Sequence, residues 1–281
     1  GIQPAAVAYM SDNTKPSERG KGMALIGMSA GIGTMIGPVM GGGLAFIHPL
    51  FPMYFGALIA VFGGFLAMKY LKESTIEKVK IEKSSLKFYD KRIFPFLFGW
   101  CIAFLVFTGT QVIAAFFIED RLGVIGQNEI IKATSIALLS MALTTTLMQA
   151  VVLQIFNISF QTLLRICFVI FGTILLSITL VQDLWHLYLA FSGIGIAFSM
   201  MTPGLNAGAT LSVETHEQGE VAGLLAAAPV LGMIFGPPLG AFLYNLDTTY
   251  PFYYGGIVVL TLGVYFQFIK FPKDIHSKLD V

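Results

Sequence analysis

The chain has 281 residues, 56% of them hydrophobic and only 12% charged, and its mean hydropathy is +0.77; ordinary soluble domains are about a quarter charged. That much apolar surface cannot be hidden by a soluble fold of this size, which excludes a soluble enzyme as well as a disordered or collagen-like chain. Seventeen basic and sixteen acidic residues nearly cancel, leaving no basic field for nucleic acid. The composition is that of an integral membrane protein.

A membrane helix needs about 20 mainly apolar residues. In chain order these fall at 1–10 (a partial span), 20–46, 50–71, 93–118, 129–156, 160–180, 185–208, 220–244 and 251–269. Eight full spans and one partial are expected. The chain opens on Gly1 and already lies inside an apolar segment, so it reads as a fragment with its start missing. Cys101 and Cys167 sit within apolar runs, with no His or Cys at ligand spacing; neither a disulfide framework nor a metal site is expected.

Orientation follows from the basic residues of the connections. One side receives about fifteen of them, from Lys15, Arg19 and Lys21 through the run 69–92 to Arg165, Lys270, Lys273 and Lys278. The other side receives only Arg121 and Lys132. The basic side is therefore the cytoplasmic one, in a multi-pass protein of the plasma (inner) membrane, with the 72–92 loop and the carboxy terminus inside. That loop mixes both signs and carries a weak apolar stripe at Ile76, Val79 and Leu86. It reads as a solvated linker between two halves, a lid or anionic-lipid contact being the other reading.

An internal repeat organises the rest. A shift of 199 residues superposes Pro4 on Pro203, Glu18 on Glu217, Gly20 on Gly219 and Gly33 on Gly232. Further along, Gly37-Pro38 falls on Gly236-Pro237, Gly41 on Gly240, Pro52 on Pro251 and Gly56 on Gly255. Glycines and prolines dominate, so backbone geometry is what the copies share. The shift spans six helices, an even number, so both copies face the same way: two parallel six-helix bundles. By the same offset the first copy begins about 106 residues before Gly1, so roughly three and a half helices are expected to be absent.

Within 20–46, Gly33, Gly37 and Gly41 recur every fourth residue on one helix face, beside Pro38 and Gly42; Gly232, Gly236 and Gly240 repeat the pattern around Pro237. Small residues at this spacing let another helix approach closely, and proline removes a backbone donor. With the stretch from Pro4 to Thr14 and the following Glu18-Arg19-Gly20, this pattern resembles the twelve-span drug:proton antiporter branch of the major facilitator superfamily. The 4–20 stretch is similar to that branch's fourth helix and its loop, and 33–42 to its fifth-helix antiporter motif, with Ala24 where the longer motif has glycine. The loop 157–161 lacks the family's acidic-plus-basic pattern.

The resemblance implies an all-α membrane protein of two parallel six-helix bundles, the first incomplete, with about nine transmembrane helices present. Residues 1–75 would form the truncated first bundle, 76–92 the cytoplasmic linker and 93–281 the second bundle. The bundles would rock about a central cavity, with the Gly-Pro helices packed at their interface. The implied activity is proton-coupled efflux of a small amphipathic compound by a monomeric carrier in contact with membrane lipid, with no catalytic residue, metal or cofactor. A metabolite or sugar facilitator of the same fold is the alternative; a transport-dead scaffold or sensor is the alternative of another class.

Several apparent signals carry less. The 216–220 run suggests a metal-binding HExxE, but Glu214, Glu217 and Glu220 at a helix start are accounted for by the helix dipole. Glu119-Asp120-Arg121 reads as an interfacial helix end or an outer gate. No Asp or Glu falls at the centre of a complete span, although intramembrane carboxylates are the usual proton carriers.

Candidate cavity residues follow from helical spacing plus the resemblance. Ser192, Ser199 and Asn206 recur every seven residues, Phe104, Thr108 and Gln111 share a face, and Gln3 precedes the Pro4 that pairs with Pro203. They belong to the fourth, seventh and tenth helices of the family pattern, which line its cavity. Uncharged amides orient an amphipathic ligand without demanding an opposite charge. The other role for each is a hydrogen bond to a neighbouring helix, worth about 0.6 kcal/mol.

Overall fold

The computed structural model describes residues 50–71, 86–149, 158–214 and 217–269, together with positions 9, 29, 33, 37, 40, 41, 43, 44, 47 and 48. Two compact units meet in sequence between Lys83 and Ser84. In the first unit, α1 (Phe51–Tyr70) starts with a proline in its first turn. Gly33, Gly37 and Gly41 are helical; Pro38 and Gly42 lie outside the described residues, as does Gln3.

The second unit contains α2 (Phe94–Asp120), α3 (Gln127–Leu147), α4 (Phe160–Ile178), α5 (Leu184–Leu211), α6 (Gln218–Leu246) and α7 (Tyr250–Phe268). All seven described helices are long and apolar enough to cross a membrane. They coincide with the seven spans expected from residue 50 onward. The ends differ by a residue or a few, except that α3 was expected to run to 156 and residues 150–157 lie outside the described set.

Local chemistry sets the boundaries. Prolines occupy the first turns of α2 and α7, where a backbone N–H would have no acceptor. Ser159 caps α4 by accepting the Thr162 amide, and Asp183 caps α5 by accepting that of His186. Between α2 and α3 the chain reverses through Gly123 and Gly126, whose φ values of 65° and 100° favour glycine.

The core is aromatic. Phe96, Phe117, Phe168, Phe171, Phe191, Phe252 and Phe266 are fully buried, and the rings of Phe168 and Phe266 stack at 5.0 Å. The closest helix pairs are α2 with α6, α4 with both α5 and α7, and α3 with α5. In lipid such pairs are held by packing and interhelical hydrogen bonds, not by a hydrophobic drive.

The α3–α5 pair is joined by hydroxyls. Ser140, Thr144 and Thr145 of α3 donate to the backbone carbonyls of Tyr188, Ser192 and Gly195 at 3.2, 2.9 and 3.1 Å. Gly195 leaves the room: a Cβ there would meet Thr144 and the Met141 carbonyl. Thr144→Val should lower unfolding free energy by about 0.6 kcal/mol, and Thr144→Val with Thr145→Val by about twice that. Denaturant titration of the purified protein in detergent checks both values; no loss in the double variant would mean these bonds are exchanged for others on unfolding.

Candidate functional site

The glycine stripe on α6 has a partner within its own unit. Gly232, Gly236 and Gly240 face α2. A Cβ on Gly232 would strike the Cys101 carbonyl and the Leu105 amide; one on Gly236 would strike the Thr108 hydroxyl and the Leu105 carbonyl. Gly109 of α2 completes the fit, its Cβ position lying 3.0 Å from the Gly236 carbonyl. Glycine is required here because the two backbones touch.

Both ends of this parallel pair are tied by polar side chains. At the start, Arg92 donates to the two carboxylate oxygens of Glu217, each at 2.9 Å. At the far end, the Tyr244 hydroxyl donates to Asp120 at 2.8 Å. The two ties join residues 125 and 124 positions apart, so α2 and α6 run in step along their whole length. Glu217, read from sequence as a dipole partner, instead anchors Arg92; it also accepts the Glu214 amide, while Glu220 accepts that of Leu86. Hydrogen bonds from Arg92 hold the Asp90 carboxyl below its ordinary range, and Asp90 and Glu217 together raise the Arg92 guanidinium. Asp120, expected at an interfacial end or an outer gate, ties α2 to α6.

The expected cavity residues separate into two groups. Thr108 is buried against α6; its hydroxyl donates to the Phe104 carbonyl at 2.7 Å and to that of Gly232 at 3.5 Å. Ser199 is fully buried and donates to Ile196, and Ser192 donates to Tyr188. These three hydroxyls are engaged with helix backbone. Phe104 and Gln111 are half-buried and Asn206 is exposed.

Around the second group lies an aromatic patch that sequence reading missed. The Trp100 indole N–H of α2 donates to Asn206 Oδ1 of α5 at 3.1 Å. Phe104 packs on Trp100 with ring centroids 5.4 Å apart, and Phe198 of α5 lies 5.8 Å from Phe104 and 4.3 Å from Phe107. Phe171 supports Phe198 from behind at 5.3 Å. The signal was present in the spacing: Trp100, Phe104, Phe107 and Gln111 recur at helical intervals on one face of α2. Among the described residues no cluster of His, Cys, Asp or Glu is placed to hold a metal.

The comparisons agree with this architecture. The model for the Major Facilitator Superfamily matches residues 1–227 and 128–279. Multidrug resistance protein 2 of Bacillus subtilis (strain 168) is 26% identical over 277 residues, a match covering 92% of this chain and 66% of that protein. Multidrug resistance protein 1 of the same organism is 27% identical over 273 residues, covering 94% and 68%. Tetracycline resistance protein, class B, of Escherichia coli is 24% identical over 274 residues, covering 92% and 66%. The chain thus spans about two thirds of the length of the curated relatives it matches. With nearly every residue covered by the family match, and seven described helices long and apolar enough to cross a membrane, the chain belongs to the Major Facilitator Superfamily.

Proposed function

We propose that the full-length protein is a secondary active transporter that exports a small amphipathic compound by alternating access, coupled to protons. One observation carries the reading: α2 and α5 together present an aromatic patch bordered by a carboxamide, the mix of apolar wall and few polar groups that a ligand pocket needs. Relatives named for multidrug and tetracycline resistance support efflux as the direction. In this reading Phe104, Gln111 and Asn206 contact substrate, while Thr108, Ser192 and Ser199 serve helix packing. Residues 1–75 belong to the first bundle, 76–92 link the bundles on the cytoplasmic side of the plasma membrane, and 93–281 form the second.

A second reading, a facilitator without proton coupling, is favoured by one feature. Among the described helices no carboxylate lies at mid-span; Glu119, Asp120, Glu129 and Glu220 all sit near helix ends. Inside-out vesicles carrying the full-length protein separate the two. An imposed pH gradient should drive accumulation of an amphipathic dye, and a protonophore should abolish it. Equilibration of dye without accumulation would replace the first reading by the second. Gln111→Ala and Asn206→Ala should each raise KM several-fold; unchanged kinetics for every dye tested would remove the cavity from α2 and α5.

A further inference from the structure

Trp100 and Asn206 together fix a direction as well as a contact. An indole N–H is a donor only, so the carboxamide must turn its oxygen toward Trp100. Its NH2 group is thereby aimed away from the indole, and the carboxamide makes no other hydrogen bond among the described residues. Trp100 is held firmly: it is only 6% exposed and its ring packs on Phe104. Asn206, by contrast, is exposed at the edge of the patch formed by Phe104, Phe107 and Phe198. The result is a pair of N–H donors, of fixed polarity, standing beside aromatic faces.

We propose that this arrangement is a binding subsite for flat aromatic compounds carrying a hydrogen-bond acceptor, such as a ring nitrogen or carbonyl, with Asn206 donating to the acceptor and Trp100 as the positioning residue that sets the amide's polarity. The proposal rests on the placement of the cavity on α2 and α5 and adds the chemical class of ligand. A flat cation of the same shape meets the positive end of the amide dipole and has no acceptor to offer. Discrimination therefore comes from the donor, while the rings supply contact to both kinds of compound. A cation lying over the rings covers this donor without pairing it and so forgoes one hydrogen bond.

Acridine and N-methylacridinium test this directly, since they share a shape while one has a ring-nitrogen acceptor and the other a fixed positive charge. Their binding to the purified full-length protein is measured by fluorescence at pH 8, where acridine is neutral. Wild type should prefer acridine by about tenfold, the scale of one charge-free hydrogen bond in a partly dry site. Asn206→Asp replaces the donor by a carboxylate that still accepts from Trp100, and should reverse the preference. Asn206→Leu and Trp100→Phe should both bring the ratio toward one, the latter because the ring remains while the amide is released to turn. A ratio that stays at the wild-type value in Asn206→Asp overturns the proposal, as does a wild-type protein that binds neither probe. Phe104→Ala separates this from the underlying reading. If it weakens both probes equally while Asn206→Asp leaves their ratio alone, the subsite assignment alone fails. If neither substitution affects either probe, the cavity is not on this face.

Discussion

Replacing Gly236 by valine should unseat α6 from α2 and leave little folded protein in the membrane. The first added carbon would already overlap the Thr108 hydroxyl and the Leu105 carbonyl. A side-chain end can rotate away, but the carbonyl belongs to the backbone of α2, and moving it means moving the helix. Overpacking usually costs about 1–3 kcal/mol and more where nothing can yield, against a total stability of about 5–15 kcal/mol. Gly232→Val should behave the same way, since it meets the Cys101 carbonyl and the Leu105 amide. Gly223→Ala on the same helix is the control: no described atom lies within 4 Å of its Cβ position, and alanine is the better helix former by about 1 kcal/mol. Size-exclusion profiles and melting temperatures of the three full-length variants check the ordering. A Gly236→Val protein that melts like wild type would mean that α2 and α6 do not touch at this point.

The second large effect concerns the Arg92–Glu217 pair, and it should be asymmetric. The Arg92 side chain is 44% exposed and that of Glu217 only 11%. Arg92→Ala takes the doubly bonded guanidinium away from a nearly buried carboxylate; breaking a buried pair in this way costs about 3 kcal/mol or more. Glu217→Ala leaves an arginine that keeps Asp90 and reaches water, for a loss of about 1 kcal/mol. Arg92→Lys should recover only part of the stability, because an ammonium cannot form the two parallel bonds that the guanidinium makes to one carboxylate. Thermal unfolding of the purified full-length variants gives the comparison; equal losses for Arg92→Ala and Glu217→Ala would show that the pair acts as a solvated surface contact.

The helices could be read from sequence because a membrane span announces itself by length and apolarity alone. Their starts were placed within a residue or two where proline or a cap marks them, as at Pro95, Ser159 and Pro251. Spacing was less informative about side-chain burial. Counting by sevens put Ser192, Ser199 and Asn206 on one face, and a drift of about 20° per heptad leaves them nearly in line. A shared face does not say how deeply neighbouring helices cover each turn: Ser199 is buried while Asn206 is exposed. Nor does sequence reveal whether a membrane serine or threonine already donates its hydrogen bond to the carbonyl three or four residues back, as Thr108, Ser192 and Ser199 all do. Trp100 escaped notice for the opposite reason: an indole in an apolar run looks like packing until the acceptor opposite it, 106 residues away, is known.

The glycine contact between α2 and α6 also governs how this part of the molecule can move. Gly232, Gly236 and Gly240 hold the α6 backbone directly against that of α2, while their sequence neighbours Leu231, Met233 and Phe235 are exposed and point away from the contact. A slide of less than one helical turn, about 5.4 Å, would carry each glycine off the α2 group it abuts and stretch both end ties. A jump of a whole turn would restore a glycine register but would tear both the Arg92–Glu217 and the Asp120–Tyr244 bonds. Shear between the two helices is resisted in either direction. The pair behaves as one double-width strut, and any bending demanded by a transport cycle must be taken up by helices joined more loosely than these.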